Sequence, residues 1–500
     1  MKPFSLKNFY WLALFATFWI TYSCVKENNN PDTPDNPISE EVQKNMNINQ
    51  WIQDNMDVLY YWNTKMPALK DMTISPSKYF DSLLYKTEDR FSYISDDYAA
   101  LTGELNGVQK EAGYDFALFL MAQGSRNVVG VINYIKPNSP ASSTDLQRGD
   151  IFLTVNEKQL TVDNYHDLIG EMSAPHTLGI YKGSTTSLQT LSLSVTEYEE
   201  NPVFLDSIYQ TGGKKIAYLI YNFFASDNGD YSYSYLKQLN DIFGKFKQAA
   251  VDELVLDLRY DSGGNAEVTT ALAGMISGKG SSDLFYTEQY NSIVDAELKK
   301  EEGSNYNKTF FNNNLILRDV KGNITDQSIP VNKLTGLNRL YVLTSQSTAS
   351  ASELIINGLK PYMNVILIGE KTYGKNVGMW FIYETDPQKQ KDNKWGMLPI
   401  VFKIFNSQNQ SDYSNGFTPD IEADDYADPM LPLGDTQETL LKTALADMGV
   451  QSSIALRSAG KRFDTHPLMT SVDRTPVRKN VIMPQKWSLN AINRSSNSLY

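Results

Sequence analysis

Two side chains in this 500-residue sequence have the types needed for a nucleophile and its base, Ser350 and Lys375. A serine hydroxyl is a weak nucleophile and needs a partner to take its proton. Histidine is the usual partner, but the chain contains only His166, His176 and His466. The first two fall in a β-rich segment and the third in a basic C-terminal stretch, outside the region that carries Ser350. A Ser–His pair is therefore not expected. A lysine can act as the base if its neutral form is populated, which requires burial or cationic neighbours. Lys375 ends a glycine-bearing loop, Gly369-Glu370-Lys371-Thr372-Tyr373-Gly374-Lys375.

These two residues need a scaffold that brings their loops together. Residues 341–360 (YVLTSQSTASASELIINGLK) read as a buried strand, a Ser/Thr turn and a helix starting near Ser350, with Glu353 in its first turn. A hydroxyl at a helix start has two readings. It can cap the helix by accepting a backbone N–H. It can also be a nucleophile whose oxyanion faces the positive end of the helix. The local pattern leaves both open, and Glu353 is either a helix-dipole carboxylate or a site residue. Ser352, two residues along the helix, is expected to be structural. Apolar runs at 215–221, 253–258, 339–343 and 365–368 alternate with helical stretches at 233–246, 267–275 and 350–359. Such alternation predicts a mixed α/β layer domain. Parallel neighbouring strands would deliver both loops to one sheet end, where α/β sites form. Residues 285–335 are rich in Asn and Lys and read as a long excursion.

The run Ser347-Thr348-Ala349-Ser350-Ala351-Ser352-Glu353, followed by Gly369-Glu370 and Thr372-Tyr373-Gly374-Lys375, resembles the signature of the C-terminal processing (tail-specific) serine peptidases. Asp257-Leu258-Arg259-Tyr260-Asp261-Ser262-Gly263-Gly264 is similar to a third segment of that family. The resemblance covers roughly residues 105–430. It implies a peptidase core in which Ser350 is the nucleophile, Lys375 the base, and Gly263 or Gly264 with Ala351 the oxyanion hole, with no cofactor or metal. Two positions depart from the pattern. Met379 stands where the family commonly has a Gln that orients the Lys amine, leaving Glu353 as a possible orienting group, and Asp261 replaces an Asn. The implied reaction is endopeptidase cleavage near the C-terminus of protein substrates by acyl transfer. The alternative is a catalytically weak or inactive lipid-anchored peptide-binding protein on the same scaffold.

The expected organisation around this core (203–445) is multidomain α/β (α+β). Met46, Ile48, Trp51, Ile52, Met56, Leu59 and Tyr60 recur at helical spacing and predict a small helical N-terminal domain over 41–102. Residues 103–202 carry short β-type runs around Pro137-Asn138-Ser139-Pro140-Ala141 and a segment at 149–160 (GDIFLTVNEKQL) that resembles the PDZ pattern. The resemblance implies a carboxylate-binding loop at Gly113, Tyr114, Asp115 and Phe116, and hence a polypeptide partner with a free C-terminus.

The chain's ends read differently. Lys2 and Lys7 precede an apolar run at 9–20, then comes Cys24, the only cysteine. This reads as a secretion signal over 1–24, too short for a confident membrane span. The lone Cys resembles the lipid-modified Cys of bacterial lipoproteins, which implies a membrane partner through a lipid anchor and a place in the cell envelope, on the outer membrane. Residues 25–40 are Asn-, Asp- and Pro-rich and read as a flexible linker. A formal net charge of −13 argues against nucleic acid as a partner. The stretch 446–500 is basic and reads as a solvated tail.

Overall fold

The computed structural model describes residues 39–68, 71–182, 187–319, 324–450, 463, 466–470, 473 and 481–483. The leader with Cys24, nearly all of the 25–40 linker and the basic residues of the tail lie outside these. Among the described residues, no helix is long and apolar enough to cross a membrane.

Helix α1 (Glu40–Leu59) buries Ile48, Ile52, Met56 and Leu59. These follow one another at three- and four-residue steps and form one stripe. Pro76 at the first position of α2 (Pro76–Leu83) starts that helix with its φ already suitable. Just after α1, the Tyr60 hydroxyl donates to Asp89 (2.7 Å). The Asp89 carboxylate in turn accepts the N–H groups of Phe91 (3.0 Å) and Ser92 (2.9 Å). This buried turn fixes Phe91, which matters below.

Next comes a small sheet of β1 (Tyr114–Leu120), β2 (Val128–Ile135), β3 (Ile151–Val155), β4 (His176–Tyr181) and β5 (Gln189–Leu193), paired in that order. The short strand Lys158–Gln159 pairs with β3 off this path. Tyr114, Phe116, Leu118, Ile132, Phe152, Leu178 and Ile180 form its own core. β1 stands at one edge of the sheet's strand order.

The remainder runs β6 (Val203–Thr211), β7 (Lys214–Tyr221), α3 (Ser234–Ala249), β8 (Glu253–Asp257), α4 (Ala266–Ser277), β9 (Leu284–Tyr290), β10 (Lys308–Phe310), β11 (Arg339–Thr344), α5 (Ala351–Leu359), β12 (Asn364–Gly369), β13 (Val377–Trp380), β14 (Ile400–Asn406), β15 (Ile421–Glu422), α6 (Thr439–Asp447) and β16 (Val481–Met483). The central sheet has the order β6-β7-β8-β11-β12-β15, antiparallel at β6/β7 and parallel from β7 onward. Strand periodicity divides its side chains between two faces. Ala217, Leu219 and Tyr221 of β7 join the core shared with α3, α4 and α5. Ile216, Tyr218 and Ile220 face the other way, into a core with Leu440, Leu441, Ala444 and Leu445 of α6. This is the mixed α/β layering expected from the alternation.

A second sheet, ordered β10-β9-β14-β13-β16, departs from expectation. The stretch 285–335, read as a long excursion, supplies β10 and nearly all of β9 to this sheet. Its Asn and Lys content hides a real strand, in which Phe285, Tyr286, Glu288 and Tyr290 are buried. Every residue of α5 is buried. Its core includes both central-sheet residues and Ile400, Phe402 and Ile404 of β14, which accounts for a helix with no polar face to spare.

Candidate active site

Ser350 lies between β11 and α5, and Lys375 lies where the chain passes from β12 of the central sheet to β13 of the second. Both residues are fully buried. The loop before Ser350 is pinned by its own small polar residues. Thr348 Oγ1 donates to the Leu258 carbonyl (2.8 Å), Ser345 Oγ donates to that of Arg259, and the Ala349 N–H donates to that of Asp261 (3.2 Å). Ser352 Oγ also donates to the Asp261 carbonyl, at 3.1 Å, which gives it the structural role expected. The result is a Ser350 backbone at φ 58°, ψ −107°. A non-glycine residue in that region costs on the order of 1–3 kcal/mol and persists only where its surroundings enforce it.

Glu353 resolves the capping question in part. Its carboxylate accepts the Ser350 N–H (3.0 Å), the Thr372 hydroxyl (2.6 Å), and the N–H groups of Gly374 (2.7 Å) and Lys375 (2.7 Å). Ser350 and Glu353 are placed as a capping box. Within hydrogen-bond geometry, however, only the Glu353 side closes, and Ser350 Oγ is buried without a partner among the described residues. Burial pushes the Glu353 carboxyl above the usual range, against the four donors that pull it down. Glu353 therefore fastens the backbone of the Ser350 turn to that of the Lys375 loop.

The Lys375 ammonium nitrogen lies 3.7 Å from Met379 Sδ and 5.1 Å from the centre of the Phe91 ring. Phe91 falls in the stretch expected to form the helical N-terminal domain. The Asp89 turn and the Arg90 guanidinium, which donates to the carbonyls of Gly374 (3.2 Å) and Ser414 (3.0 Å), bring it here instead. No short motif in the sequence marks it as a site residue. Met379 occupies the position that the resemblance assigned to a Lys-orienting Gln, with a thioether in place of an amide.

Of the two glycines expected as oxyanion donors, Gly263 is the one that packs on Ser350. A Cβ built on Gly263 would lie 2.8 Å from Ser350 Cβ and 3.1 Å from the Ala351 nitrogen. Its φ of +114° also favours glycine. Its N–H, however, donates to the Asp261 carboxylate at 2.8 Å. Gly264 packs on the backbone of Phe224, where a Cβ would meet the carbonyl oxygen at 2.2 Å. The N–H groups of Gly264 and Ala351 make no hydrogen bond among the described residues.

The loop behind these glycines rests on a buried ion cluster that the sequence did not reveal. Arg259 binds Asp257 (2.8 Å), Asp425 and Glu438 (2.7 Å). Arg148 reaches in from the small β-sheet region to Asp425 (2.7 Å) and to the Tyr260 hydroxyl. Burial alone would raise the Asp425 carboxyl, but the two guanidiniums overcome it and hold the group down at about 2.

Gly113, Tyr114, Asp115 and Phe116 are not brought to this centre. They open β1, with Tyr114 and Phe116 side chains in the small core and Asp115 accepting from Asn133 at 2.7 Å. His176 bonds the Tyr114 hydroxyl (2.8 Å). His466, expected far from the α/β region, bonds the side chain of Gln346 (2.7 Å), four residues before Ser350. It does not reach Ser350 Oγ, so no Ser–His pair forms.

Residues 215–423 match Peptidase family S41, and residues 47–93 match the Peptidase S41 N-terminal domain. A carboxyl-terminal-processing protease of Picosynechococcus sp. is 26% identical over 287 residues, covering 53% of this chain and 58% of that relative. A chloroplastic C-terminal processing peptidase of Tetradesmus obliquus is 25% identical over 286 residues, covering 55% and 52%. The chain thus spans little more than half the length of these curated relatives. The crystal structure of a Bacteroides fragilis protein assigned as an S41 protease shares 27% identity and a TM-score of 0.62, covering 80% of this chain and 97% of that one.

Proposed function

We propose that this chain, a serine-type peptidase of family S41 by these matches, cleaves polypeptides by acyl transfer with Ser350 as nucleophile and Lys375 as base. The observation that carries the reading is the strained, buried and unpartnered Ser350 hydroxyl at the N-terminus of α5, on a turn that Glu353 fastens to the Lys375 backbone. Burial disfavours the charged form of an amine. A neutral Lys375 would take the Ser350 proton as Oγ attacks the scissile carbonyl. The oxyanion would face the Ala351 N–H and one N–H of the Gly263–Gly264 pair, at the positive end of α5. Lys375 would then protonate the departing amine, and water, deprotonated by the same lysine, would release the acyl group. Ser350→Ala should abolish both hydrolysis of a synthetic peptide and labelling by a fluorophosphonate, while circular dichroism stays unchanged. Wild-type turnover in that variant would refute the assignment.

Two observations favour a second reading, a peptide-binding protein with weak or no turnover. Met379 offers the Lys375 amine a weak acceptor, and Asp261 already holds the Gly263 N–H. Labelling of the wild-type chain at Ser350 would exclude a dead site.

The substrate is proposed to be a polypeptide with a free C-terminus, captured at a PDZ-like domain (103–202) by the backbone at 113–116. Amidated peptides should then bind more weakly than free acids, because the N–H groups lose an anionic partner. Equal binding would remove this role. The envelope location and the lipid on Cys24 are proposed from the sequence. Cys24→Ala protein that still fractionates with membranes at the wild-type level would refute the anchor.

A further inference from the structure

Described residues of the stretch expected to be a solvated tail meet the folded chain in three places. First, β1 is an edge strand of the small sheet, and its open side is taken at Leu118. The Leu118 N–H donates to the Met469 carbonyl (2.8 Å), and the Leu468 N–H donates to the Leu118 carbonyl (2.7 Å). The pairing is antiparallel. Met469 packs on the core of that sheet, and Phe463 stacks on Phe119 with centroids 4.3 Å apart and planes at 12°. Second, His466 hydrogen-bonds Gln346 in the loop that presents Ser350. Third, β16 lies parallel along β13, pairing Gly378 with Val481, Met379 with Ile482 and Trp380 with Met483. β13 begins two residues after Lys375, and without β16 it would be the edge of its sheet.

Edges of this kind are where an extended polypeptide adds as a strand. Main-chain hydrogen bonds supply affinity, and alternate side chains supply specificity. Leu468 and Met469 take an edge of the small sheet, His466 touches the serine loop, and residues 481–483 fill the edge beside the lysine. A substrate that must lie on β1 and reach Ser350 and Lys375 needs the same edges.

We propose that residues 463, 466–470 and 481–483 are internal occupants of the substrate groove, so that an incoming polypeptide binds only by displacing them. This rests on the reading of Ser350 and Lys375 as the reacting pair. The polypeptide it admits is extended, with apolar side chains where Phe463 and Met469 now sit. The anchors on β1 are two main-chain hydrogen bonds, one aromatic stack and one half-buried Met, a set weak enough to exchange. Being tethered, the segment competes at an effective concentration on the order of millimolar. Removing it should therefore strengthen binding of a free competitor by about tenfold or more.

The test reads binding rather than turnover. In a Ser350→Ala background, fluorescence anisotropy would follow a labelled, unstructured 20-residue peptide with a free carboxylate. Three chains are compared: the full chain, a chain ending at Val450, and the full chain with Leu468→Pro and Ile482→Pro. Leu468→Pro deletes the N–H that bonds Leu118, and Ile482→Pro breaks the β13 pairing. The expected result is about tenfold tighter binding in both altered chains, reversed by adding a synthetic peptide of residues 463–483. Should the shortened chain fail to fold, the double-proline chain decides. Unchanged affinity in a folded double-proline chain overturns the proposal. The catalytic reading fails separately, through an absence of fluorophosphonate labelling at Ser350, and that result leaves the binding comparison standing.

Discussion

Acid should weaken this protein through one carboxylate, and the size of the effect follows from the ion cluster. Asp425 is buried between Arg148 and Arg259 and also accepts from the Tyr260 hydroxyl. Its carboxyl falls from the usual 3.8 to about 2. A group depressed on folding adds stability above its unfolded value and loses it as pH falls through its folded value. The difference of nearly two units, at about 1.4 kcal/mol each, gives about 2 kcal/mol at neutral pH. It should be fully present above about pH 5 and gone near pH 2. Asp425→Asn mimics the protonated state at every pH.

The variant should therefore unfold in urea with about 2 kcal/mol less stability than wild type at pH 7, and the gap should close as pH falls from about 4 to 2. Because the cluster is buried, the gap should change little between low and high salt. Tryptophan fluorescence at matched urea concentrations would measure it. A gap that persists at pH 2, or none at pH 7, would refute the reasoning. The consequence reaches the site, since the Arg259 carbonyl accepts the Ser345 hydroxyl in the loop before Ser350.

Three further outcomes are expected. Lys375→Met, close in shape and apolar, should abolish peptide hydrolysis with little change in melting temperature; measurable turnover would rule out lysine as the base. Met379→Gln should raise kcat several-fold by giving the Lys375 amine an amide oxygen in place of a thioether 3.7 Å away; a variant no faster than wild type would show that orientation of the amine does not limit the rate. Glu353→Gln should cost about 2–3 kcal/mol in urea unfolding, because a neutral amide replaces a carboxylate that accepts four donors, and a loss below about 0.5 kcal/mol would contradict its role as the fastener of the two loops.

How far the sequence could be read depended on the range of each interaction. The central strands were legible because each is a short apolar run closed by a turn, a pattern contained within a few residues. The positions of Ser350, Gly263 and Lys375 were legible as local motifs, each at the end of such a strand. The second sheet was not. β9 and β14 pair across more than a hundred residues, and polar side chains around β9 conceal its buried face. Phe91 was missed for the same reason, since its place at Lys375 depends on contacts of its neighbours Asp89 and Arg90 with Tyr60, Gly374 and Ser414, far along the chain. The ion cluster joins residues 148, 257, 259, 425 and 438, which no local pattern connects.

The two departures from the expected motif act on different parts of the chemistry. The Met379 thioether lies beside the Lys375 amine, so it bears on how that amine is aimed. The Asp261 carboxylate accepts the Gly263 N–H, so it bears on where an oxyanion could rest. Glu353 binds the backbone beneath both residues and leaves either effect free to be tuned without moving the loops. If the occupied edge of β13 adds a third constraint, the chain controls aim, charge stabilisation and access with separate residues. A slow peptidase built this way would respond to changes at each position independently. A dead scaffold would respond to none, since no substitution that improves the aim of an idle lysine produces turnover. The response to Met379→Gln, set beside that to loss of residues 463–483, is therefore the comparison that divides a restrained enzyme from a binding protein.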